Sequence, residues 1–438
     1  MKKKTFNKKV FITKLILILA VGVILGISCI FSPAIEKFLG IGSKSSSYVS
    51  SEQISNNDMK IHFLDVGQAD CTFIELPDGK NIMIDAGLST SAKHIIEYVD
   101  SLGVSQIDYF ILTHPDNDHV GGAKKIFEHF EIKNIIRPFS ISVDSKTNLP
   151  TEYEKLGVYY TDIYQSTCNV ITTNVYATFI QKAYTETYFE NGIEKQSHIY
   201  VSYDGLKLPL DENAEYNFEF FAPIVRENAY EILYEETDTY GYPTKFYGKD
   251  TSSSKNNASP VMLLEYRESS FVFTGDAEEE VESDFLNQTT EQEKDRFKNV
   301  DVMQAGHHGS TTSNTAEFLN LVCPNYFVVS AGKDNKYGHP HDEIVNRVQN
   351  LPHTVSDYFL VTFEVGDITF GFDQTGKLLY TANMMGDGTT VYYYQIAICL
   401  FVVITVIILS VRVSKNKMTT AKNVVKETKR VSNRINKS

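Results

Sequence analysis

Thr113–Gly122 reads THPDNDHVGG. Positions 114 to 119 hold two histidines and two aspartates: His114, Asp116, Asp118 and His119. The residues just before, Tyr109–Leu112 (YFIL), form an apolar run expected to be a buried strand, and Gly121-Gly122 closes the segment. A strand that ends in four convergent nitrogen and oxygen ligands is how a metal site is commonly built. Four such groups buried together without a cation would repel one another or stay unsatisfied. The alternative is a polar turn in which the four residues meet by chance, a risk that any short motif carries.

The same arrangement recurs outward from this segment. Lys60–Val66, Cys71–Leu76 and Asn81–Ile84 read as strands, with Pro77-Asp78-Gly79 as a turn between the last two. Ser91–Leu102 and Gly122–Phe130 have helical character. Val261–Glu265 and Ser270–Phe273 form an expected hairpin ending in Thr274-Gly275-Asp276. Asn299–Gln304 leads to Gly306-His307-His308-Gly309-Ser310, and Tyr326–Ser330 precedes Gly338-His339-Pro340-His341 and a helix at Asp342–Leu351. Five loops thus place His or Asp after a short apolar strand: Asp65–Asp70, Asp85–Gly87, His114–His119, Asp276 and His307-His308. Strand-end loops gather on one edge of a sheet, where sites are assembled. Residues 152–250, rich in Tyr, Thr and Glu, read as an insertion of irregular strands and loops within a 59–385 domain.

The ends of the 438-residue chain differ from this core. Residues 15–31 are apolar and uncharged, and six lysines precede them within residues 1–14, the pattern of an uncleaved signal anchor. Residues 43–57 are a Ser/Asn-rich tether. Residues 392–411 combine three tyrosines with a second apolar run, and the 412–438 tail carries nine basic residues against one acid. Basic flanks at both ends imply two membrane passes with both termini cytoplasmic and the catalytic domain outside the cell. Without those flanks, 26 basic residues face 54 acidic ones, a formal charge of about −28. Such a surface repels polyanions and counts against tight non-specific DNA binding. Cys71, Cys168 and Cys323 lie outside the apolar runs, with no close pair and no CxxC, so metal ligands must come from His and carboxylates.

FLDVGQAD (63–70), IDAG (84–87), THPDNDHVGG (113–122), TGDA (274–277), AGHHGS (305–310) and NKYGHPHDEI (335–344) together resemble the metallo-β-lactamase superfamily. Within it the chain is most similar to the extracellular hydrolase domain of ComEC/Rec2-type competence proteins. The resemblance implies an α/β fold, an αββα sandwich, here flanked by two transmembrane helices, with two divalent metal ions at one edge of the sheets. By resemblance His114 and Asp116 serve the first ion, Asp118 and His119 the second, and Asp276 bridges them. His307 or His308 completes the second site, with the choice between them open. Asp65, Gln68, Asp70 and Asp85 are expected to support the ligands rather than bind. The common HxHxDH motif appears as HxDxDH, and no extra His is identified between it and TGDA to complete the first metal site; Asn257 and Ser259 stand in that region. Asp116 makes the first site harder, so Mn²⁺ competes with Zn²⁺, and Mg²⁺ is admissible.

Two close cations lower the pKa of a shared water, giving a metal-bound hydroxide near neutral pH. Asp118 is expected to steer that water or take its proton. His339 or His341, at a helix start, is expected to protonate the leaving group or hold phosphate, against the alternative of capping and packing locally. The expected activity is a phosphodiesterase or nuclease acting on nucleic acid, a nucleotide or a cell-wall polymer. A lactone or β-lactam hydrolase and a non-catalytic, metal-stabilised surface binding protein are the other readings, and no protein partner is inferred. With two apolar runs the chain is expected to lack the channel of a full competence transporter.

Overall fold

Gln106–Ile111, the strand that delivers the THPDNDHVGG segment, lies between two parallel neighbours, Asn81–Ile84 and Glu131–Arg137. In this computed structural model they belong to an eight-stranded sheet. Its order is His198–Val201, Glu131–Arg137, Gln106–Ile111, Asn81–Ile84, Thr72–Glu75, Lys60–Phe63, Asp367–Phe372 and Leu378–Asn383. A second sheet of seven runs Lys207–Leu208, Tyr216–Phe220, Met262–Tyr266, Ser269–Phe273, Val302–Gln304, Tyr326–Val329 and Phe359–Val361. The structure describes residues 54–55, 58–138, 140–147, 151–154, 169–208, 214–223, 255–352 and 358–383, with 423 and 425–428.

Side-chain alternation explains the layering. Ile82, Ile84, Tyr109 and Ile111 point to the same core as Phe218, Leu264, Phe271 and Phe273, so the two sheets pack face to face. The intervening residues Met83, Phe110 and Leu112 point the other way, onto Ile95 and Val99 of the helix Ala92–Ser101 and Ile126 and Phe127 of Ala123–His129. On the second sheet Val272, Met303 and Phe327 meet Phe285, Phe318 and Ile344 from the helices Glu279–Gln288, Ala316–Val322 and Asp342–Gln349. Strands covered on both faces read as continuous apolar runs, which is why YFIL and FVF stand out in the chain. The result is the four-layer αββα arrangement expected from the motifs. Each fully buried Phe or Ile contributes about 1.5–3 kcal/mol, so the sandwich is held mainly by this central layer.

The 152–250 segment differs from its expectation as an insertion. His198–Val201 extends the first sheet, parallel to Glu131–Arg137, and Tyr216–Phe220 pairs with Met262–Tyr266 in the second. Asn174–Thr185 is a helix that buries Tyr176, Phe179, Ile180 and Ala183 on one face. Those four follow helical spacing, but a composition rich in Tyr and Thr favours strand and hid the pattern. Among the described residues no helix is long and apolar enough to cross a membrane. The apolar runs 15–31 and 392–411, the basic ends and most of the 43–57 tether lie outside the described residues.

Arg137, at the end of its strand, fixes this segment in place. Its guanidinium is fully buried and donates to both Glu154 carboxylate oxygens, Nη1 to Oε2 at 2.8 Å and Nη2 to Oε1 at 2.5 Å. Nη2 also reaches the Ser140 carbonyl and the Tyr176 hydroxyl. Removing the carboxylate strands a buried cation, which costs about 3–5 kcal/mol. Glu154→Ala is therefore expected to lower unfolding stability by about that amount in urea denaturation. A change below about 1 kcal/mol would show that the segment is not integrated with the sandwich.

Candidate metal centre

The described site residues sit on loops after strand ends of both sheets. Thr113–Val120 follows Gln106–Ile111, and Asp85 follows Asn81–Ile84. From the other sheet, Asp276 follows Ser269–Phe273, and His307-His308 follow Val302–Gln304. Asp70 comes from the loop between Lys60–Phe63 and Thr72–Glu75. The centre thus lies where the two sheets share an edge.

Asp276 is its hub. The carboxylate is buried and each oxygen faces a pair of histidines. Oδ1 is 3.2 Å from His119 Nε2 and 3.9 Å from His308 Nε2; Oδ2 is 3.5 Å from His307 Nε2 and 3.7 Å from His114 Nε2. Asp276 Oδ1 and the Nε2 atoms of His114, His119 and His308 are buried with no hydrogen-bond partner, as is Asp70 Oδ2. Ligand atoms of Asp70, His119, Asp276 and His308 all lie within 4.8 Å of one another. Unpartnered buried lone pairs converging on one point are costly unless a cation occupies it. This donor set therefore fits a divalent metal ion.

The surrounding hydrogen bonds set the tautomers that ligation requires. His119 Nδ1 donates to Asp85 Oδ2 at 2.7 Å, which leaves Nε2 as the lone-pair nitrogen facing Asp276. Asp85 also accepts from the Thr113 amide and hydroxyl at 2.8 and 2.7 Å, so both its oxygens are engaged in holding the loop and the ring. His308 Nδ1 donates to the Ser330 carbonyl at 2.9 Å, again freeing Nε2. Asp70 Oδ1 accepts from Gln304 Nε2 at 3.0 Å, leaving Oδ2 for the centre.

Charge balance points the same way. Burial opposes a positive His119, yet Asp276 and Asp85 outweigh it and hold its pKa well above the ordinary value. For His308, burial is likewise overcome by Asp276 and Asp70, raising the pKa to about 9. Burial would raise the Asp276 carboxyl, but His119, His307 and His308 hold it well below the usual range. In this pocket positive charge is the missing quantity, and either protons or a metal ion can supply it.

His307 and His308 carry the strain. Both adopt left-handed backbone angles, φ 50° and φ 55°. Such a conformation costs a non-glycine residue about 1–2 kcal/mol. Asn314 holds the turn, accepting from the Gly306 amide at 2.9 Å and donating to the Gly306 carbonyl at 2.8 Å. The buried Glu282 carboxylate in turn accepts from the amides of Asn314 and Thr315 at 2.6 and 2.8 Å. The outcome separates the two rings. His308 enters the compact set, whereas His307 stays partly exposed with Nδ1 on the Thr312 hydroxyl at 3.0 Å.

The other residues singled out in the sequence fall in distinct places. Asp118 stands at the rim, its Oδ2 3.5 Å from His308 Nε2 and its side chain 30% exposed. Burial is outweighed by His308 and His119, so its carboxyl is held below the ordinary value. Asp116 is not among the compact set and pairs with Lys255, Oδ1 to Nζ 3.1 Å. His339 stacks over His308 with ring centres 6.1 Å apart, and its Nδ1 contacts the Gln68 amide nitrogen at 3.2 Å. His341 points to the backbone instead, Nδ1 accepting from the Thr311 amide at 3.0 Å and Nε2 donating to the Tyr337 carbonyl at 3.1 Å. Both its nitrogens are used locally, but the side chain makes no capping hydrogen bond to the helix that follows. Asp70 as a member of the set and Lys255 as the partner of Asp116 were not foreseen. Asp70 was expected only to support the ligands, since nothing in its loop sets it apart from Asp65, and Lys255 lies 139 residues from Asp116.

Residues 64–144 match the family model described as Metallo-beta-lactamase superfamily. The ComE operon protein 3 of Bacillus subtilis is 24% identical over 313 residues, covering 67% of this chain and 31% of that protein. Recombination protein 2 of Haemophilus influenzae is 24% identical over 311 residues, covering 70% of this chain and 28% of its own length. Competence protein ComA of Neisseria gonorrhoeae is 22% identical over 326 residues, covering 74% and 34%. The chain spans about a third of the length of these curated relatives. The αββα layering, the buried Asp–His set at its edge and these matches agree: the chain carries a stretch that matches the metallo-β-lactamase superfamily and is similar to competence proteins of the ComEC/Rec2 type.

Proposed function

We propose that the chain is a membrane-tethered, metal-dependent phosphodiesterase whose catalytic domain lies outside the cell. The observation that carries this reading is the composition of the compact set: two carboxylates and two imidazoles, Asp70, Asp276, His119 and His308. Carboxylate oxygens favour hard ions such as Mn²⁺, and hard ions favour the anionic oxygens of a phosphodiester. A bound divalent ion would supply Lewis acidity and lower the pKa of a nearby water.

The chain's own groups have separable tasks in this reading. Asp276, His119, His308 and Asp70 hold the ion, and Asp85 and the Ser330 carbonyl hold the two rings. Asp118, ionised and at the solvent edge, orients the attacking water and takes its proton. His339 binds phosphate oxygen. Burial and the neighbouring His308 and His307 lower its pKa to about 4, so it is neutral at pH 7. Gln68 Oε1 accepts from the Gly332 amide at 3.2 Å, which turns the Gln68 NH₂ toward His339 Nδ1. Nδ1 is then the acceptor and Nε2 carries the hydrogen, a donor for an anionic oxygen.

The apolar runs and basic flanks read from the sequence support the membrane tether. The external acidity of about −28 favours a small phosphodiester, such as a nucleotide or a cell-wall unit, over nucleic acid. Nucleic acid stays among the substrates to be tried.

Three outcomes follow. Incubated with Mn²⁺, the full chain in detergent is expected to hydrolyse a bis-aryl phosphodiester faster than single-stranded DNA or a chromogenic lactam. Turnover of the lactam alone would contradict the proposal. His339→Gln is expected to lower kcat/KM on the diester by about 10²–10³-fold while leaving bound manganese unchanged, as loss of one transition-state donor does. Loss of manganese in that variant would instead make His339 a ligand. Ion binding must also displace the protons on His119 and His308. Because their pKa values are raised without an ion, Mn²⁺ affinity should increase with pH up to about 9. At pH 7, calorimetry in buffers of different ionisation enthalpy should report net proton release; no release would mean that the ion binds elsewhere.

A further inference from the structure

The stretch KNNASP, residues 255–260, has no role in the centre as described so far, yet it is built onto it. Asn256 Nδ2 donates to Glu278 Oε1 at 2.9 Å. Asn257 Nδ2 donates to Glu280 Oε2 at 2.9 Å, and its Oδ1 accepts from the Glu278 amide at 3.3 Å. Ser259 Oγ accepts from the Asp276 amide itself at 3.1 Å. Three polar side chains, Asn256, Asn257 and Ser259, thus clamp this segment to the loop that carries the hub carboxylate. The clamp presents Lys255 to Asp116, Nζ to Oδ1 3.1 Å, with the lysine side chain only 16% exposed.

Resting on the metal-dependent reading above, we propose that the Lys255 ammonium replaces the second metal ion, so that the centre takes one divalent cation. Three observations support it. Among the described residues, one His/Asp group is compact enough to hold an ion, and neither His114 nor Asp116 belongs to it. Asp116, the residue that would distinguish a first metal position, already has a cation on its carboxylate. The region between the first motif and Asp276, where a further imidazole would complete that position, instead supplies Lys255 with its three anchoring neighbours. An ammonium on Asp116 repels a divalent ion from the same carboxylate. It also leaves a fixed positive charge beside the remaining ion, in place to face a substrate phosphate oxygen as a point charge.

The test is the stoichiometry of Mn²⁺ bound to the full chain, by equilibrium dialysis with elemental analysis and by electron paramagnetic resonance, which distinguishes isolated from coupled ions. The wild-type chain is expected to bind one Mn²⁺ with an uncoupled spectrum. Lys255→Met, checked for its fold by circular dichroism, should double the stoichiometry and show a coupled pair; Lys255→Arg should keep one. Should the methionine variant fail to fold, Lys255→Gln serves in its place. Two ions in the wild type would overturn the proposal. So would one ion in a folded Lys255→Met or Lys255→Gln variant, since the lysine would then not be what excludes the second. No bound ion in the wild type would instead overturn the metal-dependent reading on which the proposal rests.

Discussion

Asp276 is a carboxylate taken out of water and surrounded by four imidazoles, with Asp70 and Asp118 close behind. Nothing in the protein pairs its Oδ1 or the Nε2 atoms of His114, His119 and His308 with a hydrogen bond. Burying such a group is expensive, and the expense is recovered only when a cation joins it. Much of the local architecture is explained by that requirement. Asp85 and the Ser330 carbonyl fix the rings from behind, Gln304 fixes Asp70, and the left-handed turn at 307–308 aims the two rings apart. The Asn314 and Glu282 contacts stabilise a turn whose backbone would otherwise relax.

The sandwich supplies the position and the stiffness for this pocket. Its ligands come from loops of both sheets, so the face-to-face layer of Phe63, Phe218, Phe271, Phe273 and Phe370 sets the distance across which the two halves of the site meet. A loose core would spread lone pairs that must converge within a few ångströms.

Much of this was legible in the chain. YFIL before THPDNDHVGG and FVF before TGDA marked strands that are covered on both sides, and every strand and helix read from those motifs is present with ends moved by up to three residues. The convergence of His119, Asp276 and Asp85 could be expected because each motif places its His or Asp at a strand end. What could not be read depends on long-range placement. That His308 and not His307 joins the compact set depends on the Ser330 carbonyl, 22 residues away, and on the left-handed turn. The Asp116–Lys255 pair joins segments with no shared pattern. The helix at Asn174–Thr185 was hidden because Tyr and Thr dominate a segment whose apolar period is helical.

The account stands on where the ion binds, and anomalous diffraction from Mn²⁺-soaked crystals of the catalytic region at the manganese edge addresses that directly. It predicts a peak within coordination distance of Asp276, His119 and His308, with Asp70 or Asp118 completing the shell and Lys255 remaining on Asp116. A peak held by His114 and Asp116 with Lys255 displaced, or no peak at the sheet edge, would contradict it.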